Sequence, residues 1–174
     1  MKTYYIEQNR RTLSGSFSSN ALPIIKINAK DRVVFGIMDG DWHIKKPDEP
    51  KSGCGEFFTG RVSPQDDGHA LIGPIYINNT KPGDVLSVKI VDCRCADWGW
   101  SRIGGQSTDH ETRLHIKDEY FLNWDLDNKL MIAKSHLGHK VKMVPFLGLI
   151  GVAPAEGGCL STHPPRSAGG NLDC

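Results

Sequence analysis

The chain has no long apolar run. Residues 1–7 contain no apolar core of signal-peptide length, and no stretch approaches the roughly 20 apolar residues that span a bilayer. These absences predict a soluble protein with no membrane partner, and we expect it in the cytoplasm.

The chain also has no excess of charge of either sign. Its 21 lysines and arginines nearly balance 20 aspartates and glutamates, which leaves a net charge of +1. Such a balance provides no strong long-range attraction for nucleic acid or for an anionic surface. It favours a small, weakly charged partner and predicts no nucleic-acid binding.

Cysteine is scarce and unevenly spaced. The five cysteines are odd in number and include no Cys-x-x-Cys motif, which argues against a disulfide framework and for reduced thiols. Cys93 and Cys95 are only two residues apart, and we interpret them as structural residues rather than zinc ligands.

Long helices have little room, because 19 glycines and 10 prolines interrupt the sequence at short intervals. The pattern predicts a mostly β protein with strands over residues 23–27, 31–37, 72–77 and 85–92. A turn containing Pro82, Gly83 and Asp84 joins the last two of these strands. Because residues 85–92 are apolar on both sides, we expect neighbours to cover most of both faces of that strand.

Three regions that follow have different patterns. Residues 98–113 are rich in glycine and tryptophan and then polar, which predicts a long loop. Residues 120–133 resemble a hairpin turning near Asp127 and Asn128. From residue 144 onward, glycines and prolines predict shaped loops, which often carry sites.

Three motifs rich in glycine and proline occur in order along the chain. The first is the Gly73-Pro74 strand followed by the Pro-Gly-Asp turn at residues 82–84. The second covers residues 145–154, and the third comprises Pro165 and the Gly-Gly-Asn-x-Asp motif at residues 169–173. In this order they resemble the signatures of the acetamidase/formamidase family, and the resemblance extends from about residue 33 to the last residue.

The resemblance implies hydrolysis of a short amide, such as formamide or acetamide, to the acid and ammonia at a divalent-metal site. It also implies a jelly-roll-like or barrel-like β-sandwich with long loops rich in glycine and proline. By position in the family motifs, Asp39, Asn171 and Asp173 are the expected metal ligands. Asp173, Asn171 and His69 are the expected catalytic residues.

The chemistry explains why such residues suit the reaction. Resonance stabilises an amide, and a divalent metal polarises its carbonyl and lowers the pKa of a bound water. Carboxylate and amide oxygens are hard ligands that favour calcium, whereas zinc would require histidines from elsewhere in the chain. The identity of the ion, zinc or calcium, stays open. His43 is interpreted as a surface or loop histidine, and the spacing of His136 and His139 suits a metal site on a helix, but a loop is the better interpretation there. His163 is close in sequence to the third signature and could line the same pocket.

The family sequence continues beyond the Gly-Gly-Asn-x-Asp motif. We therefore expect residues 1–174 to form the amino-terminal part of the family fold, without its carboxy-terminal part. Exposed apolar surface would then lead to a homo-oligomer or to a companion chain that supplies the missing half.

Two other functions are open. The chain could be a non-catalytic β-sandwich subunit or binding module that needs a partner chain. A carbohydrate-binding jelly roll would use Trp98, Trp100 and Trp124, although tryptophans of this kind are usually part of a core.

Overall fold

The structure is a computed structural model that describes residues 1–51, 53–155, 157–163 and 167–171. Of Asn171 it describes only the backbone. The predicted mostly β class is confirmed, with 32% of the described residues in strands and 3% in helix. No closed barrel forms in these ranges. None of their helices is long and apolar enough to cross a membrane.

The regular elements are short. In chain order they are β1 Thr3–Ile6, β2 Leu13–Ser14, β3 Ser16–Ser18, β4 Ile25–Ile27, β5 Arg32–Phe35, β6 Leu71–Ile72, β7 Ile75–Ile77, β8 Trp98–Ile103, α1 Asp109–Arg113, β9 Tyr120–Asp127, β10 Ile132–Ser135, β11 Lys140–Lys142, β12 Leu149–Gly151, β13 Cys159–Ser161 and β14 Gly169–Asn171.

The first of two compact units comprises Met1–Trp42, Phe58–Lys89 and Leu147–Cys174. Its strands pair two by two. The β1–β5 and β4–β7 pairs are parallel, and the β2–β6, β3–β13 and β12–β14 pairs are antiparallel. A small apolar cluster packs around the fully buried Trp42, and its other members are Leu13, Met38, Phe58, Ala70 and Ile72.

The second unit comprises His43–Phe57 and Ile90–Phe146. Its centre is an antiparallel sheet in the order β11-β10-β9-β8. The predicted hairpin over residues 120–133 is confirmed, because β9 pairs with β10 from Ile132 opposite Asp127 to Ser135 opposite Trp124.

The loop predicted over residues 98–113 is wrong. Residues 98–103 form β8, in which Trp100 stacks on Phe121 of β9 with ring centroids 5.3 Å apart. This cross-strand aromatic pair outweighs the weak strand propensity of Gly99. The short helix α1 follows, and its capping box, Thr108 with Glu111, is a signal that the sequence does contain.

The strand predicted over residues 85–92 is also wrong in this structure. The turn before it forms as expected, with Gly83 at a φ of 96° and the Asp84 carboxylate accepting the Lys81 amide hydrogen at 3.0 Å. Residues 84–92 then have no regular structure and are exposed, and Val85 is 96% exposed. The apolar pattern suits a strand, but no described strand pairs with it.

Candidate functional site

The loop that carries His69 is anchored by a buried carboxylate. Asp66 is 1% exposed, and its two oxygens accept the amide hydrogens of Gly15 at 2.9 Å and Val62 at 2.8 Å. Arg10 forms an ion pair with the same group at 3.0 Å. Satisfying these buried donors fixes the start of the loop.

The backbone around His69 is held on both sides. Gly68 accepts a hydrogen bond from the buried Trp42 indole at 2.8 Å, and the amide of His69 donates to the Thr162 hydroxyl at 2.9 Å. A Cβ at Gly68 would lie 2.6 Å from the Thr162 hydroxyl, so only glycine permits this approach. Thr162 is itself fully buried.

The imidazole ring of His69 has a defined tautomer. Its Nδ1 lies 3.2 Å from the carbonyl oxygen of Gly40. Because a carbonyl oxygen only accepts, Nδ1 must carry the proton, and Nε2 of the neutral ring is then a lone-pair atom. Gly40 packs closely at this point, since a Cβ on it would lie 3.3 Å from Nδ1.

His163 meets His69 directly, although the two residues are 94 positions apart. Their ring centroids are 3.8 Å apart with the planes at 66°, and the two Nε2 atoms face each other in contact. His163 is exposed and follows β13, where its amide donates to the Ser161 hydroxyl at 3.1 Å. The structure therefore brings two imidazole nitrogens to one point of the first unit.

Asp39 belongs to the segment whose backbone contacts the His69 ring. Its carboxylate accepts the Asp41 amide hydrogen at 3.0 Å, and its carbonyl accepts that of Trp42 at 2.9 Å, which forms a turn. The next residue, Gly40, supplies the carbonyl that contacts the His69 ring. The role of Asp39 as a metal ligand stays a prediction.

The two residues of the third signature are only partly described. The backbone of Asn171 ends β14 opposite Leu149, but its side chain lies outside the described part, and so does all of Asp173. The preceding Gly169 has a φ of 117°, and a Cβ there would lie 2.3 Å from the Ile150 carbonyl oxygen. These glycines therefore bring the chain close to β12.

The surroundings of His43 and of the cysteines favour structural roles for these residues. His43 is buried and packs on Phe57 and Trp100, with centroids 4.3 and 5.5 Å away. The four cysteines in the described ranges are free thiols. Burial, together with the charge of Cys93, raises the pKa of the Cys95 thiol, which disfavours the nucleophilic thiolate.

The described residues do not complete a metal site. Across the described ranges, no group of three or more histidine, cysteine, aspartate or glutamate side chains is placed to hold an ion. The His69–His163 pair brings two nitrogens into contact with each other, whereas a catalytic zinc takes about three protein ligands. Nothing in the sequence indicates that these two residues meet, or that Asp66 and Thr162 hold them.

The sequence of the chain resembles that of a known protein family. The sequence profile of the Acetamidase/Formamidase family matches residues 61–166, more than half of the chain. No curated protein matches the sequence.

Two solved structures share the fold. An acetamidase from Bacillus halodurans superposes with a TM-score of 0.76 at 18% identity, over 97% of this chain and 52% of that one. A predicted acetamidase/formamidase from Thermoanaerobacter tengcongensis gives 0.75 at 24% identity, over 99% and 53%. The chain thus spans about half the length of these structures, and by its match to the family profile it belongs to the Acetamidase/Formamidase family.

Proposed function

We propose that the chain takes part in hydrolysis of a short aliphatic amide, of the formamide or acetamide type, with a divalent metal ion. The family match supports this proposal, and the observation that carries it is the contact between His69 and His163. In the reaction water adds to the carbonyl carbon, the C–N bond breaks, and the products are the carboxylic acid and ammonia.

The ion would polarise the amide carbonyl and make a nucleophile available near neutral pH. We assign Asp39, Asn171 and Asp173 as oxygen ligands and Asp173, Asn171 and His69 as the residues nearest the reacting atoms. In the neutral ring of His69, the hydrogen bond from Nδ1 to the Gly40 carbonyl leaves the lone pair on Nε2. The Thr162 hydroxyl keeps its backbone in place.

Ammonia release from formamide and acetamide tests this function. The protein is purified from cells that express it from its own gene, so that any companion chain is retained. Chelation, Asp173→Ala and His69→Ala should each lower the rate at least about 100-fold, the scale of a lost catalytic group. The surface variant Asp67→Ala is the matched control, and activity that survives both chelation and Asp173→Ala contradicts the proposal.

The alternative is a non-catalytic subunit or binding module that needs a partner chain. The exposed segment over residues 84–92 favours a partner, since Val85, Val88 and Val91 are 96%, 52% and 61% exposed. A β-competent segment with open backbone groups can pair with a strand of another chain. The partner is a second copy or a companion corresponding to the unmatched half of the solved relatives.

Native mass spectrometry and hydrogen exchange test the partner. A companion or second copy should appear in the mass spectrum, and the amides of residues 85–91 should exchange more slowly in the complex than in the isolated chain. A monomer with rapidly exchanging amides in that segment contradicts the need for a partner. Amide hydrolysis by that monomer would exclude the non-catalytic alternative.

A further inference from the structure

Residues 85–91 form an exposed, extended segment that has the pattern of a strand but no strand beside it. The backbone has neither turn nor bend from residue 84 to residue 96, and no described strand forms ladder hydrogen bonds with it. Its peptide groups are therefore open to pairing with a further strand. Five of its seven residues are apolar, namely Val85, Leu86, Val88, Ile90 and Val91.

The exposure of these side chains shows that the segment already has an inner and an outer face. Leu86, Val88 and Ile90 alternate along the segment and are 48%, 52% and 51% exposed. Val85 and Val91, which belong to the other face, are 96% and 61% exposed. Successive side chains of an extended chain point to opposite sides. The chain itself thus covers part of one face, and the segment lacks a neighbour along its edge.

The segment is complementary to a second copy of itself. Two copies that run antiparallel with Val88 opposite Val88 place apolar residues opposite apolar residues and polar residues opposite polar residues. The pairs are Val85 with Val91, Leu86 with Ile90, and Ser87 with Lys89. Cross-strand pairs of β-branched and other apolar side chains stabilise such a ladder. A two-fold axis through the Val88 pair makes the two halves of the interface identical, as in most homodimers.

Other registers are less favourable. A shift by one residue would place Leu86 opposite Lys89 and would set the inner face of one copy beside the outer face of the other. A parallel pair in register would place Lys89 opposite Lys89, which is destabilising. In the symmetric antiparallel register like charges meet only at the ends, where Asp84 faces Asp92, and Arg94 forms an ion pair with Asp92 at 2.9 Å.

We propose that residues 85–91 join two copies of this chain by antiparallel strand pairing, with Val88 on the two-fold axis. The exposed surface of the five apolar residues in two copies is on the order of 1,000 Å², the lower limit of a specific interface. The dimer should therefore dissociate on dilution. The inference assigns a second copy, rather than a companion chain, to this segment. It is independent of amide hydrolysis, because it uses no residue of the candidate site.

Analytical ultracentrifugation of the full-length protein over a range of concentrations tests the pairing. The wild type should be a dimer that dissociates on dilution. Val88→Lys places two like charges opposite each other on the axis and should weaken dimerisation at least about tenfold. The matched control Val144→Lys, at a valine outside the segment that is 76% exposed, should dimerise like the wild type. A monomeric wild type, or equal affinity of the two variants, would overturn the inference.

A mixture of two further variants tests the register. Copies with Val85→Lys and copies with Val91→Glu should each dimerise more weakly than the wild type, because a charge then faces a valine. Mixed in equal amounts, they should form a heterodimer in which the ammonium faces the carboxylate at one end and the valine pair is restored at the other. Circular dichroism verifies that each variant is folded. A mixture that is no more dimeric than its two components would contradict the register and with it the inference.

Native mass spectrometry of the protein purified from cells that express it from its own gene identifies the occupant of the segment. A complex of two identical chains supports the inference. A companion chain that binds the wild type but not Val88→Lys would overturn it. Ammonia release measured on the same samples separates this inference from the proposed function. A dimer without amide hydrolysis upholds the interface and contradicts the function, whereas an active monomer upholds the function and contradicts the interface.

Discussion

The molecule contains two pairs of histidines with opposite relations between sequence and space. His136 and His139 are three positions apart, a spacing that suggests a metal site, yet each has a separate local partner. The Nδ1 of His136 accepts the backbone amide hydrogen of Asn123 at 3.2 Å. The Nδ1 of His139 lies 3.0 Å from the Ser135 hydroxyl. His69 and His163 are 94 positions apart and touch.

The tautomers of His136 and His69 differ as well. In His136 the accepting atom is Nδ1, so the neutral ring carries its proton on Nε2. In His69 the donating atom is Nδ1, so Nε2 carries a lone pair. Backbone partners thus orient both rings, one within a hairpin and the other beside a second imidazole. Spacing alone does not distinguish these roles.

The largest effect should follow from removing the carboxylate that anchors the His69 loop. Asp66→Ala leaves the buried amide of Gly15 and the partly buried amide of Val62 without acceptors and should lower the free energy of unfolding by about 3 kcal/mol. Urea denaturation measures this loss. Asp67→Ala, at the exposed neighbour, should change stability by less than about 0.5 kcal/mol, and equal losses in the two variants would show that Asp66 is no anchor.

A smaller effect should follow from changing the residue that connects His69 and His163. Thr162→Val keeps the shape of the side chain but removes the acceptor for the His69 amide, which should cost about 1–2 kcal/mol. Thr162→Ser keeps the hydroxyl and should retain most of the stability that Thr162→Val loses. Thermal denaturation gives the readout, and equal losses in both variants would refute this role of the hydroxyl.

The local histidine pair should respond differently. His136→Ala removes the acceptor of the Asn123 amide hydrogen and should cost about 1 kcal/mol of stability. Urea denaturation measures this loss, and His110→Ala, at an exposed histidine on α1, is the control and should change stability by less than about 0.5 kcal/mol. Equal losses in the two variants would contradict a role for His136 within its hairpin.

The smallest expected effect is a loss of stability in acid that arises from protonation of Glu111 rather than of either histidine pair. Hydrogen bonds from the backbone of Thr108, and then of Gln106 and Gly104, lower the pKa of Glu111 in the folded state. Its stabilising contribution is therefore present above its ordinary pKa of 4.5 and is lost as the pH falls through the lower folded-state pKa.

Urea midpoints measured between about pH 6 and pH 3 check this linkage. The difference between wild type and Glu111→Gln should be constant at the upper end and should shrink in acid. Glu7→Gln, at an exposed glutamate, is the control and should show no such convergence. A constant difference throughout would contradict the lowered pKa.

The sequence by itself determined the features that depend on a few neighbouring residues. Glycine and proline spacing predicted the β class, a turn near Asp127 and Asn128 predicted the β9–β10 hairpin, and residues 81–84 predicted their turn. The ordered signatures indicated the family, which the match over residues 61–166 confirms. Each of these signals is local or is a string of residues in order.

Only the tertiary structure decided what depends on distant partners. Residues 85–92 have the composition of a covered strand, but pairing requires a neighbour, and no described strand provides one. Residues 98–103 became a strand because β9 supplied a partner and Phe121 a ring to stack on. The meeting of His69 with His163 likewise depends on buried acceptors, Asp66 and Thr162, whose role arises only when segments far apart in the chain pack together.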